Sequence, residues 1–76
     1  MHNDEISSMA LTLMKEVGEP LETKEIQEKI VQHIKSTTRA KLFYRLTMLR
    51  ADGKLRGKSV GSGKGVWIWW HDCKKG

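Results

Sequence analysis

The chain has 76 residues, 38% of them hydrophobic, and its 14 Lys and Arg outnumber 9 Asp and Glu for a net charge of +5. That length allows one small domain with a barely sufficient core, and no apolar run approaches the 18 or so residues of a membrane-spanning helix. Cys73, the single cysteine, excludes an internal disulfide and has no C-x-x-C partner for zinc.

The opening "MHNDEISSMALTLM" is acidic where a signal peptide would be basic, so the expected location is cytoplasmic. Residues 4–17 repeat apolar groups at Ile6, Met9, Ala10, Leu13 and Val17, one face of a helix. Asn3 or Asp4 suits its start, and Gly18 with Pro20 ends it. Leu21 falls in a short extended piece. Thr23 is the expected cap of a second helix, roughly 24–34, with Ile26, Ile30 and Ile34 every fourth residue. His33 lies off that stripe and reads as an exposed helical side chain, not a metal ligand.

After Lys35-Ser36-Thr37 a third helix is predicted over roughly 38–51, capped by Ser36 or Thr37, with Leu42, Leu46 and Leu49 inward. Gly53 stops it in the turn "ADGKL". Two helices joined by so short a polar turn make a helix-turn-helix. From Lys54 the period changes to two: Leu55–Val60 and Val66–Trp70 are expected strands, joined by the hairpin tip 61–65. Alternation puts Val66, Ile68 and Trp70 on one face and Trp67 and Trp69 on the other. The first set, apolar at every position, is expected to be buried. Residues 72–76 read as a polar tail.

"GKSVGSGKGVWIWW", residues 57–70, invites a phosphate-loop reading that its register refuses. Five residues separate Gly57 from Gly63 instead of four, Gly65 follows Lys64 in place of Ser or Thr, and a strand follows instead of a helix. Charge is more informative. Residues 1–34 hold Lys15, Lys24 and Lys29 against seven acids, a net of −4, while residues 35–76 hold eleven basic residues against Asp52 and Asp72, a net of +9. One domain with a basic half of that strength is suited to polyanions, nucleic acid first among them.

Helix, short strand, helix, turn, helix and hairpin is an order that resembles the winged helix-turn-helix family of DNA-binding transcription factors. The resemblance is carried by "STTRAKLFYRLTMLRADGKL", residues 36–55, where Arg45-Leu46, Leu49, Gly53 and Leu55 match the family's R-L-x-x-L-x-x-x-G-x-L. "GEPLETKEIQEKI" looks like its entry into the second helix. The size and the tryptophan-rich wing resemble small regulators of crenarchaeal viruses and plasmids. The implied fold is α+β: three helices, a short first strand and a C-terminal two-stranded wing in a single domain.

The resemblance also implies a mechanism, with the third helix in the major groove and the wing along the backbone or minor groove of double-stranded DNA. On that helix the DNA-facing residues would be Thr37, Thr38, Arg39, Lys41, Tyr44 and Arg45, with Ala40 and Met48 on the same outward arc. Lys58, Ser62 and Lys64 would be the wing's contacts, chiefly to phosphate. A homodimer on a two-fold site would enlarge the small footprint of a single module.

The alternative is a protein-interaction winged helix that docks through exposed Trp67 and Trp69 or through the acidic first two helices, although such a module needs no cationic third helix. Recognition of left-handed duplexes fits poorly, since no Pro-Pro precedes the wing tryptophan. Enzymatic activity is not expected: His71, Asp72 and Cys73 are chain neighbours that point different ways. Neither a cofactor nor a metal is implied.

Overall fold

Residues 5–61 and 65–72 are described by the computed structural model. They form α1 (Glu5–Val17), β1 (Leu21–Glu22), α2 (Thr23–Ile30), α3 (Arg39–Ala51), β2 (Arg56–Val60) and β3 (Val66–Trp70). The three strands make one antiparallel sheet in the order β1-β3-β2. No helix among the described residues is long and apolar enough to cross a membrane. The expected caps Asn3 and Asp4 lie outside the described residues, as do Ser62, Lys64 and Cys73.

In α1 the core line is Ile6, Ala10 and Met14, four residues apart, with Met9, Leu13 and Val17 packed partly buried beside it. Gly18 closes the helix at φ +67°, a conformation that its missing Cβ makes inexpensive. The next helix departs from expectation at both ends. Its N-cap is Glu22, not Thr23, and the Glu25 carboxylate reaches back to accept from the Glu22 N–H at 2.8 Å. It also stops at Ile30, four residues early. There His33 N–H donates to the Ile30 carbonyl and Thr37 N–H to that of Ile34, three-residue spacings that tighten the chain into turns.

Those turns also correct the cap of α3. Thr37 is buried, with its hydroxyl donating to the Ile34 carbonyl at 2.7 Å, so it seals the inter-helix turn from inside. Thr38 is the cap: its backbone is extended and its Oγ1 accepts from the Lys41 N–H at 3.1 Å. Thr38→Ala should therefore cost about 1 kcal/mol, typical for loss of a cap. In a domain of this size that is a drop of about 4–8 °C in melting temperature, measurable by circular dichroism. At the other end Gly53, at φ +78°, donates to the Arg50 carbonyl while Lys54 N–H donates to that of Leu49. This pair of bonds is a Schellman closure.

The core joins Ile6, Ala10, Met14, Leu21, Ile26, Ile30, Leu42, Leu46, Leu49, Leu55 and Trp69. Trp69 is the largest of the fully buried side chains. The expected sheet facing is thereby reversed. Trp69 has no exposed surface and Trp67 packs partly buried against the core, whereas Val66 is 45% exposed. Residues paired across β2 and β3 share a face, so Trp69 and Gly57, with Trp67 and Ser59, turn toward the helices. Arg56, Lys58 and Val60 lie on the outer face with Trp70, Ile68 and Val66.

The physical reason is space and polarity. A built Cβ on Gly57 would lie 2.4 Å from Cε3 of Trp69, so the indole occupies the room that this glycine leaves. The buried indole N–H is satisfied by donating to Thr23 Oγ1 at 2.8 Å.

Candidate nucleic-acid interface

With Leu42, Leu46 and Leu49 buried, the 3.6-residue turn directs Ala40, Tyr44, Thr47 and Met48 away from the core, with Lys41 beside them. All five are exposed. Arg45 borders this face on one side, its guanidinium 5.4 Å from the centroid of the Tyr44 ring. Arg39 and Arg50 border it on the other.

Arg39 and Arg50 tie α3 to its neighbours. Arg39 Nε donates to Gln27 Oε1 at 2.7 Å, and Gln27 Nε2 donates to the Thr37 carbonyl at 3.3 Å. This chain of bonds staples α2, the turn and the start of α3. Arg50 Nε donates to the Gly57 carbonyl at 3.1 Å, while its guanidinium lies 5.3 Å from the centre of the Trp67 ring. Phe43 meets Trp67 and Trp69 edge-on, at centroid distances of 6.0 and 5.8 Å. The two indoles stack at 5.2 Å and 21°. Helix and hairpin are thus joined by one aromatic cluster and one cation.

The structure brings Thr38, Arg39, Lys41, Tyr44 and Arg45 together along α3 and its cap, but withdraws Thr37 into the turn. Lys58 is exposed on the edge strand β2, opposite Ile68 and therefore on the outer sheet face. Asp72 pairs with Arg56 at 3.0 Å.

Two contributors escaped sequence reasoning, Phe43 and Arg50. Their seven-residue separation on the flank of the leucine stripe was the available signal, since that spacing puts both on one side of a helix. Trp69 is fully buried and offers no docking surface, while Trp67 is half-buried with one side packed against the core cluster.

The exposed acids Glu5, Glu16, Glu25 and Glu28 of α1 and α2 stand among exposed Lys15, Lys24 and Lys29, whereas α3 and the hairpin strands carry exposed Arg39, Lys41, Arg50, Arg56 and Lys58 with no acid inside those elements. Long-range attraction of a polyanion would favour the second surface.

No protein-family model and no curated protein matches this sequence. Among solved structures, a chain of HOP2, described for its DNA recognition and protein interaction domains and its homologous DNA pairing, superposes with a TM-score of 0.75. The match spans 88% of this chain and 98% of that one at 20% sequence identity. Three helices, the three-stranded antiparallel sheet and this likeness define a winged helix-turn-helix fold, with β2 and β3 as the wing.

Proposed function

We propose that this protein is a sequence-specific double-stranded DNA-binding transcriptional regulator, with α3 in the major groove and the basic wing on the backbone or minor groove. The observation that carries the reading is α3 itself: an exposed helix face bordered by cations and braced against the hairpin through Phe43 and Arg50. The DNA recognition ascribed to the HOP2 structure supports the same use of this fold. Binding, not catalysis, is the role proposed. A cytoplasmic location, from the acidic opening of the chain, a homodimer on a two-fold site, from the small footprint of one module, and a viral or plasmid source, from the sequence resemblance, belong to this reading.

The test is duplex binding as a function of salt. Lys58→Ala should reduce the salt slope by about 0.9, the loss of one phosphate contact, and weaken matched and scrambled duplexes alike. Lys41→Ala, in the first turn of α3, should weaken the matched duplex more than the scrambled one. Affinities and slopes unchanged in both variants would remove α3 and the wing as the DNA-binding surface.

A further inference from the structure

The middle of the outward face of α3 carries no charge. Ala40, Tyr44, Thr47 and Met48 occupy it, with Tyr44 57% and Met48 46% exposed. Arginine is the commonest reader of guanine, through paired bonds to O6 and N7. Here every arginine beside the stripe is oriented by the protein itself: Arg39 on Gln27, Arg50 on the Gly57 carbonyl and Trp67, Arg45 over the Tyr44 ring. The Ala40 methyl, the Met48 side chain, the Tyr44 ring and Thr47 therefore face the base edges of a groove-bound helix, with Lys41 beside them. The Thr47 hydroxyl is held by donating to the Phe43 carbonyl at 2.8 Å, and the arginines stand to either side where phosphate backbones run. That charge arrangement selects a duplex as the occupant. Arg45 against the Tyr44 ring also competes with the use of that ring as a stacking platform for an unpaired base.

The apolar group exposed in the major groove is the 5-methyl of thymine. We propose that α3 chooses its sites by thymine methyl groups, with Tyr44 and Met48 meeting them and Ala40 allowing close approach. This selection of A·T-containing sites rests on the DNA-binding reading above.

The experiment enriches duplexes from a random-sequence pool with the full chain, then remakes the enriched duplexes with deoxyuridine for thymine. That exchange removes the methyl and keeps the base pairing. Affinity should fall about fourfold for each contacted methyl, the equivalent of one buried methylene. Tyr44→Ala and Met48→Ala, both at exposed positions, should melt with the wild type and shrink the deoxyuridine penalty. Equal binding of the two duplexes, or a penalty unchanged in both variants, overturns the inference while leaving DNA binding intact. Single strands that compete as well as duplex also overturn it, making Tyr44 a stacking platform. Absence of salt-dependent binding to any duplex would remove the parent reading and this one together.

Discussion

Trp69→Ala should cost about 3–5 kcal/mol, the range for deleting a large buried aromatic. Total stability for a chain this short is on the order of 4–11 kcal/mol, so much or all of the folded population is at stake. The indole has no exposed surface, stacks on Trp67, meets Phe43 edge-on and donates its N–H to Thr23. No small side chain replaces those contacts together. Trp70 lies on the opposite face of β3 and is only partly buried, so Trp70→Ala should cost less than half as much.

Urea unfolding of the two variants, followed by circular dichroism, compares them directly. A more damaging Trp70→Ala would show that the sheet faces are assigned the wrong way round. Thr23→Val isolates the polar share, since it leaves the indole N–H buried without its acceptor at a cost of about 1–3 kcal/mol.

Gly57→Ala should destabilise by about 1–3 kcal/mol, the usual cost of an overpacked core. The sign is informative, because a glycine inside a strand is ordinarily worse than alanine by about 0.5–1 kcal/mol. Here the added Cβ would sit 2.4 Å from Cε3 and 2.7 Å from Cζ3 of Trp69. The indole has little room to retreat, with Trp67 stacked on it and Thr23 holding its nitrogen. Strain of this kind is specific to one partner. In a Trp69→Phe background, which lacks the clashing benzo ring, Gly57→Ala should therefore cost less, with a coupling of about 0.5–3 kcal/mol in the double-mutant cycle. Additive losses would locate the penalty in the strand backbone.

The element order was legible because each signal was local. Leu42, Leu46 and Leu49 mark a helix face by spacing alone, and Gly53 marks its end by needing positive φ. The facing of β3 was not legible. Both alternations of Val-Trp-Ile-Trp-Trp are apolar, so period two has no polar residue with which to choose between them. The choice is made by partners far away in sequence: Thr23 offers an acceptor 46 residues back, and Gly57 offers a gap. Thr37 illustrates the same limit at a cap. Adjacent Thr37 and Thr38 are chemically identical, and only the packing of the turn sends one hydroxyl to the Ile34 carbonyl and the other to the Lys41 N–H. The candidate DNA surface was legible as a helix with outward cations, but the tethering of Arg39 and Arg50 to Gln27 and Gly57 depends on tertiary approach.

The stacked tryptophans give the molecule an optical property of its own. Two indoles held 5.2 Å apart and within 21° of parallel couple their electronic transitions, and a guanidinium against one ring perturbs its emission. Trp67 and Trp69 belong to the hairpin, whereas Phe43 and Arg50 belong to α3. Near-ultraviolet dichroism and intrinsic fluorescence therefore register the seating of the wing on the helix, without a label and without touching the surface offered to a ligand.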